Sequence, residues 1–403
     1  MPARDVVIVS AARTPIGRYG GSFRNVHPAE LGAVAARRAI EEAGIAPSDI
    51  DEVLIGHARQ AGSGPNPGRQ VGHRAGVPAD APAQTINKAC ASGMQAIVSG
   101  AQSILLGESD VVLAGGIESM SRMPYLIESE DARWGHKMGN FSLVDAMHRD
   151  GFFCPLSNML MGETAEELAD KYGITREESD CYALESQHRA EAAIGARRFV
   201  DEIAPVTVTD SKGRQTTVDR DEHPRAGMTI EALRNLPPVF GATSGGSGRP
   251  GIITAGSSSG ITDGGAALVL MSTDRARSVK ATPLARIVAW ASAGVDPRIM
   301  GIGPVPAMRK LYSSTGLSLE DFDLVEMNEA FAAQVLAVLR DEPIPRDRLN
   351  VNGGAIALGH PIGCTGARIV VTLVHEMKKR RATRGLATLC VSGGMGMALA
   401  LET

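Results

Sequence analysis

Residues 43–56 read AGIAPSDIDEVLIG, and residues 315–328 read TGLSLEDFDLVEMN. Four pairs of identical residues share one fixed offset between the two stretches: Gly44 and Gly316, Asp49 and Asp321, Asp51 and Asp323, Val53 and Val325. Each copy predicts a helix that ends at glycine, a short turn and then a buried strand. The chain therefore contains an internal repeat.

Two more correspondences follow in the same order. Ser92-Gly93 and Thr365-Gly366 each begin a predicted helix, MQAIVSGAQSILLG and ARIVVTLVHEMKKR. Each half then ends in an apolar strand that runs into Gly-Gly, DVVLAGGIESM at 110–120 and LATLCVSGGMGM at 386–397. Three ordered matches predict an α/β protein built from two related halves.

The region between the halves has a different pattern. Two predicted capping boxes, Thr164 with Glu167 and Thr175 with Glu178, begin helices there, and GATSGGSGRPG at 241–251 is typical of a flexible return. We therefore expect an N-terminal half at 1–120 and 251–273, and a C-terminal half at 274–403. Residues 121–250 are expected to form an inserted loop domain that carries substrate contacts.

Composition excludes several classes of protein. Net charge is −4 and no basic block is present, so nucleic acid is not an expected partner. No apolar run is expected to span a membrane, and the segment after Met1 reads as a strand rather than a signal peptide. The five cysteines form no CxxC pair. We therefore expect a reducing compartment, the cytoplasm.

Residues 353–368, GGAIALGHPIGCTGAR, place one imidazole among five glycines. Glycine allows backbone to approach backbone or ligand closely, so His360 is a candidate site residue. Pro361 fixes the backbone directly after it and predicts a rigid turn rather than a regular element.

Two cysteines and one asparagine are further candidates. Cys90, in NKACASGMQAI, precedes a predicted helix whose dipole would lower the pKa of the thiol, although a buried structural role is equally compatible. Cys390 ends an apolar strand, where burial statistics alone favour a core role. Asn328 lies at a strand-to-helix turn, with the helix expected from Ala330, and either caps that helix or orients a water.

Together these motifs resemble the thiolases (acetyl-CoA acetyltransferases and 3-ketoacyl-CoA thiolases) over essentially the whole chain. The matching segments, in order, are NKACASGMQAI, AGGIESMSRMP, MGETAEELA, ITAGSSSGITDGGAAL, VDPRIMGIGPVPA, EMNEAFAAQ, GGAIALGHPIGCTGAR and CVSGGMGMA. The resemblance implies a five-layered α/β/α/β/α fold of two similar halves with an inserted loop domain.

The resemblance also implies roles for the candidate residues. Cys90 would take up an acyl group as a thioester, with His360 as its base, and Cys390 would exchange a proton with the α-carbon of the second acyl-CoA. Asn328, through a water, and His360 would form one oxyanion hole, and the backbone N–H groups of Cys90 and Ser392 another. Three more side chains would contact the pantetheine arm or line the acyl pocket: Ser259, Met161 and Phe331.

Three residues depart from the usual family pattern. Leu160 stands where many acetoacetyl-specific relatives have histidine, which indicates a different acyl pocket. Ser392 replaces a glycine and can crowd the oxyanion hole. Ser257 replaces an asparagine and can change a turn or a hydrogen bond near coenzyme A. The composition of 195–249, with eight Lys/Arg and seven Asp/Glu, singles out no phosphate site.

The implied reaction is cleavage of 3-ketoacyl-CoA by CoA, or condensation of two acetyl-CoA, with CoA as substrate, no cofactor and no metal. This would be an acyltransferase of fatty acid and lipid metabolism, a homodimer or homotetramer by resemblance. The alternatives are a condensing enzyme like ketoacyl synthase or hydroxymethylglutaryl-CoA synthase, and a non-catalytic acyl-CoA or lipid-binding protein. A Cys2His metal site is a third, without clustered ligand spacing.

Overall fold

The computed structural model describes residues 5–240 and 250–403. Its strands are β1 (Val6–Arg13), β2 (Gly17–Arg18), β3 (Glu52–His57), β4 (Ala83–Ile86), β5 (Val111–Ser119), β6 (Tyr125–Leu126), β7 (Val144–Asp145), β8 (Phe153–Cys154), β9 (Met159–Leu160), β10 (Val206–Thr209), β11 (Gln215–Val218), β12 (Thr262–Ser272), β13 (Ala285–Gly294), β14 (Leu324–Met327), β15 (Arg384–Val391) and β16 (Met395–Glu402). Its helices are α1 (Pro28–Glu42), α2 (Pro67–Arg74), α3 (Ser92–Leu106), α4 (Ser129–Ala132), α5 (Met161–Tyr172), α6 (Arg176–Gly195), α7 (Ile230–Arg234), α8 (Thr273–Ser278), α9 (Pro304–Thr315), α10 (Ala332–Asp341), α11 (Ala355–Leu358) and α12 (Ile362–Arg380).

The main sheet has the symmetry that the repeat predicts. Its strand order is β14-β15-β16-β13-β1-β12-β5-β3-β4, so each half contributes the same sequence of neighbours outward from the β1–β13 junction. In each half the two outer strands of the repeat, β3 with β5 and β14 with β15, pair in parallel. The edge strand β4 also pairs with β3 in parallel, and the pairs nearer the β1–β13 junction are antiparallel. The predicted glycines at the helix ends, Gly44 and Gly316, both have positive φ.

The core is divided into layers. One cluster surrounds α3 and α12 and joins the inner faces of both halves of the sheet. A second packs α1 and α2 on the outer face of the first half, and a third packs α9 and α10 on the outer face of the second. Each sheet half is therefore covered on both faces, and the central helices are shared. The five-layered α/β fold is confirmed.

The insertion is tied to the first half by a buried ion-pair network. Arg13, at the end of β1, lies 2.6 Å from Glu202 and 2.7 Å from Asp221. The predicted capping box at Thr175 and Glu178 is present before α6. The box at Thr164 is wrong, because α5 begins at Met161 and Glu163 supplies the carboxylate that accepts from the Leu160 N–H. Residues 241–249 of the predicted return lie outside the described residues.

One stretch passes the test of length and hydropathy for a membrane span, contrary to our expectation. It is Ala89–Leu106, which contains α3, and 61% of it is buried. The helix packs between the sheet halves against α12, and this central position accounts for its apolar composition.

Candidate active site

The two central helices begin side by side, and each follows a candidate residue. Cys90 lies two residues before the first residue of α3, and His360 lies two residues before the first residue of α12. The helices approach so closely at their N-terminal ends that a Cβ at Gly93 would lie 2.7 Å from the backbone nitrogen of Ala367. Glycine is required there, and it lets the two helix starts approach, so that Cys90 of one half and His360 of the other line one cavity.

Cys90 is half-buried, and it follows a strained residue. Ala89 has φ 46°, a left-handed conformation that costs a residue with a Cβ about 1–2 kcal/mol. Burial raises the pKa of the Cys90 thiol, opposed by the charge of Arg59 and by the backbone N–H groups of Ser392 and of Cys90 itself. Our expectation of a pKa lowered by the helix dipole is therefore wrong, because desolvation of the thiolate outweighs the favourable contacts.

His360 is held on the turn that the sequence predicts, between α11 and α12. Gly359 has φ 104°, which directs the chain into the turn, and the His360 N–H donates to Gly260 O at 2.9 Å. Burial first, and then the charges of Arg368 and Arg59, lower the pKa of His360 to about 3. The imidazole is therefore neutral near neutral pH and can accept a proton.

Thr365 determines which ring nitrogen of His360 is free. Its hydroxyl donates to Pro361 O at 3.0 Å and lies 2.6 Å from His360 Nδ1. The single hydroxyl proton is engaged with Pro361, so Oγ1 accepts from the Nδ1–H. Nε2 then carries the lone pair and is the basic atom. The sequence pattern predicted that a helix begins at Thr365, but α12 begins three residues earlier, at Ile362. Thr365 therefore lies in the first turn of the helix, and its contact with His360 was not predicted.

Cys390 and Asn328 come from two parallel strands of the second half. Cys390 lies near the end of β15, and burial, followed by the charge of Cys90, raises the pKa of its thiol. Asn328 follows β14 and is fully buried, and its amide has no hydrogen-bond partner among the described residues. It does not cap α10, which begins at Ala332 rather than at Ala330. A buried amide without a protein partner is where an ordered water is expected.

A cavity of about 750 Å³ brings most of the candidates together. Its walls include nearly every residue that the sequence singled out: Cys90, Leu160, Met161, Ser259, Phe331, His360, Cys390 and Ser392. Asn328 lies behind this wall and does not line it. Ser257 is also buried behind the wall, where its hydroxyl accepts from Thr254 N at 3.0 Å and so stabilises the turn that presents Ser258 and Ser259.

Comparison with known proteins identifies the family of this chain. The thiolase N-terminal domain family matches residues 6–274, and the thiolase C-terminal domain family matches residues 281–403. The chain belongs to the thiolase family. It is 50% identical over 398 residues to acetyl-CoA acetyltransferase of Pseudomonas aeruginosa and 48% identical over 398 residues to that of Cupriavidus necator, with 99% of each chain covered in both cases.

Solved thiolase structures agree over the same length. Acetyl-CoA acetyltransferase of Bacillus anthracis superposes with a TM-score of 0.95 at 46% identity, covering 99% of both chains. Human mitochondrial 3-ketoacyl-CoA thiolase in complex with CoA superposes with a TM-score of 0.93 at 42% identity, covering 100% of this chain and 98% of that one. This thiolase is therefore an acyltransferase.

Glu329 positions the Asn328 loop of this thiolase. Its buried carboxylate accepts from four groups: Tyr182 Oη at 2.9 Å, Ser186 Oγ at 2.7 Å, Asn350 Nδ2 at 2.9 Å and the Ile356 N–H at 3.1 Å. These contacts join α6 of the insertion to the loops around β14 and α11. No local sequence pattern indicates this role of Glu329, because its partners are far from it in the chain.

Glu118 is a buried carboxylate of the first half that contacts the start of the second central helix. Its carboxylate lies 3.0 Å from His57 Nε2 and accepts from the Gly363 N–H at 2.9 Å, at the first turn of α12. His57 itself is fully buried beside Glu118. Among residues 5–240 and 250–403, no group of three or more His, Cys, Asp or Glu side chains is arranged to hold a metal ion.

Proposed function

We propose that this thiolase cleaves 3-ketoacyl-CoA with CoA to acetyl-CoA and a shortened acyl-CoA, and condenses two acetyl-CoA to acetoacetyl-CoA in reverse. The observation that carries the proposal is one cavity in which Cys90, His360 and Cys390 are gathered from both halves. The activities for which the relatives are named, acetyl-CoA acetyltransferase and 3-ketoacyl-CoA thiolase, support the same reaction.

Acyl transfer begins at Cys90. Burial keeps its thiol protonated in the free site, so a base has to remove the proton as the sulfur attacks the 3-keto carbonyl. His360 Nε2 is that base, since Thr365 fixes the proton on Nδ1. The backbone N–H groups of Cys90 and Ser392 stabilise the resulting oxyanion, and a lost donor of this kind costs about 3–4 kcal/mol.

Carbon–carbon bond cleavage then leaves an enolate on the departing acetyl-CoA. Cys390 donates its proton to the α-carbon and becomes a thiolate, which later takes the proton of the incoming CoA thiol. The CoA sulfur attacks the acyl carbon and forms a new thioester, and the released Cys90 sulfur regains its proton from His360. The enolate oxygen is stabilised by His360 and by a water held at the unpartnered amide of Asn328. In condensation each proton moves in the opposite direction. No cofactor or metal takes part in these steps.

Coenzyme A enters through the insertion side of the cavity. Arg18 and Arg225 are exposed in the cavity lining, and among the described residues neither guanidinium takes part in an ion pair. They are the residues we assign to the CoA phosphates, with Ser259 beside the pantetheine arm. Leu160, Met161 and Phe331 supply the apolar wall for the acyl group.

We also propose a homodimer or homotetramer in the cytoplasm, acting in fatty acid and lipid metabolism. Among residues 5–240 and 250–403, strand β4 pairs only with β3 and leaves a sheet edge that a second copy can cover. Exposed apolar side chains concentrate in the insertion, at Tyr125, Ile127, Trp134, Met138, Phe141 and Leu143. All five cysteines are free, as expected in a reducing compartment.

The test is thiolysis of a 3-ketoacyl-CoA series by the purified protein. We expect CoA-dependent formation of acetyl-CoA, measured by chromatography, and a kcat/KM that varies with acyl chain length. An absence of acetyl-CoA with every short and medium substrate would overturn the proposal. Light scattering with multi-angle detection measures the assembly, and a monomer would contradict the proposed oligomer.

A further inference from the structure

A positive charge lies beside the reacting groups. Arg59 follows β3 at the carboxyl edge of the sheet and lines the cavity together with Cys90 and His360. Its neighbour Ala58 packs in one cluster with Cys90 and Ile362. The Arg59 charge acts on both reacting residues, favouring the Cys90 thiolate and disfavouring a protonated His360. Arg59 is therefore at the reaction centre rather than at the cavity mouth.

The guanidinium of Arg59 has no counter-ion among residues 5–240 and 250–403. Its one side-chain hydrogen bond is from Nη2 to Gly151 O, at 2.9 Å, and its buried Nε has no partner. The nearby carboxylate of Glu118 accepts from the backbone N–H of Arg59 at 3.3 Å. Its other contacts are with His57 and the Gly363 N–H, so it does not serve as the counter-ion of the Arg59 guanidinium.

The surroundings make this unpaired cation costly. The side chains packed around Ala58 and Cys90 are apolar: Met120, Met147, Phe152, Ile261 and Ile362. A partly desolvated cation in an apolar wall is unfavourable unless an anion pairs with it. Guanidinium is also the group best suited to bind a carboxylate through two parallel hydrogen bonds. A bound carboxylate would satisfy the free donors.

The position excludes the CoA phosphates as that anion. They lie at the far end of the pantetheine arm from the thioester, and the exposed Arg18 and Arg225 are available to them. At the offset of the internal repeat, Arg59 corresponds to Phe331, which also lines the cavity. The two halves thus present one charged and one apolar residue at matching positions around the acyl group.

We infer that the preferred substrate is a 3-ketoacyl-CoA whose acyl chain ends in a carboxylate, and that Arg59 determines this specificity. The inference rests on the proposed thiolysis. The CoA thiol forms a new thioester with the acyl carbon, the bond between the α-carbon and the keto carbon breaks, and the α-carbon takes up a proton. The products are acetyl-CoA and an acyl-CoA that keeps its free carboxylate.

The experiment compares three substrates: 3-oxohexanoyl-CoA, the derivative in which its terminal methyl is replaced by a carboxylate, and the methyl ester of that derivative. Steady-state thiolysis is measured for wild type, Arg59→Leu and Arg59→Lys. Arg220→Leu removes one exposed positive charge outside the cavity lining and is the matched control.

We expect wild type and the Arg220 variant to favour the carboxylate over its ester. Arg59→Leu should lower kcat/KM for the carboxylate by about 10- to 100-fold more than for the two neutral substrates, which share only the loss caused by removing the Arg59 charge from Cys90 and His360. Arg59→Lys should restore part of the preference for the carboxylate. An equal loss with all three substrates would show that Arg59 supports Cys90 or the Gly151 loop, and would overturn the inference.

The wild type alone also decides the question if the Arg59 variants do not fold, because a wild type that does not favour the carboxylate over the ester overturns the inference. Failure of wild type on every substrate would instead reject the proposed function. The two failures are therefore distinguishable.

Discussion

The two halves of this thiolase share one backbone plan and carry different chemistry at matching points. Cys90 and His360 both lie two residues before a central helix. The first half reaches this position through a left-handed alanine, Ala89, and the second through Gly359. A duplicated fold thus supplies two equivalent positions at its centre, one with a thiol and the other with an imidazole, which are the nucleophile and the base of the mechanism that we propose.

The strand ends differ in the same way. Val53 pairs with Leu113 in the first half and Val325 pairs with Leu386 in the second. Four residues after Leu113 on β5 is Ile117, and four residues after Leu386 on β15 is Cys390. The first half has an apolar packing residue, Ile117, at that position, whereas the second half has the thiol of Cys390. The active site is therefore asymmetric although the scaffold is symmetric.

The largest effect should come from removing the first-half nucleophile. Cys90→Ala should abolish acyl-enzyme formation and lower kcat by about 10⁴-fold or more, because no other group in the cavity takes its position. Mass spectrometry after incubation with acetyl-CoA measures the acetyl adduct. Cys181→Ala removes an exposed cysteine and should keep it. A full adduct on the Cys90 variant would contradict the assignment.

Removing the second-half thiol should separate the two steps. Cys390→Ala should keep the acetyl adduct on Cys90 but lower condensation and thiolysis by about 10²- to 10⁴-fold, because proton exchange with the α-carbon is lost. Adduct mass and turnover are measured on the same preparation. Equal loss of acylation in the Cys90 and Cys390 variants would refute the division of labour between the halves.

The contact between Thr365 and His360 should matter less than either thiol. Thr365→Val removes the acceptor of the Nδ1–H and should lower kcat by about 10- to 100-fold with little change in KM, because the basic nitrogen is no longer fixed. Thr365→Ser keeps the hydroxyl and should restore most of the rate. If the serine variant is as slow as the valine variant, packing rather than the hydrogen bond is responsible.

The burial of His360 predicts a pH-dependent stability. Its folded pKa, about 3, lies below its unfolded value, so the unfolded chain binds more protons in the interval between the two values. The contribution of the neutral, buried imidazole to the free energy of unfolding is complete above the unfolded pKa and is lost as the pH falls toward 3. Between pH 7 and pH 5 this loss should be about 2 kcal/mol. Urea unfolding of wild type and His360→Gln measures it, and an equal pH dependence in both proteins would contradict the prediction.

The smallest effect should come from the left-handed residue of the first half. Ala89→Gly relieves strain but increases the entropy of the unfolded chain, so we expect a gain of about 0–1 kcal/mol in the free energy of unfolding. Urea unfolding measures it, with Ala91→Gly at an ordinary negative φ as the control. A clear destabilisation at Ala89 would mean that its methyl contributes packing that outweighs the strain.

The amino-acid sequence by itself determined the two related halves, the insertion and the residues Cys90, Asn328, His360 and Cys390 as candidates. The reason is local: glycines, turns and apolar periodicity are properties of neighbouring residues, and the repeat showed that they occur twice. The turn around His360 could also be predicted from the sequence, because Gly359 and Pro361 determine which backbone conformations are allowed there.

The tertiary structure decided the electrostatics and the supporting contacts. The dipole argument predicted a low pKa for Cys90, but burial depends on groups from both halves and reverses the direction. Glu118, Glu329 and Arg59 act through partners that are distant in the chain, at Gly363, Asn350 and Gly151. Desolvation and the pairing of charges are set only when these segments meet, so no local pattern of residues contains them.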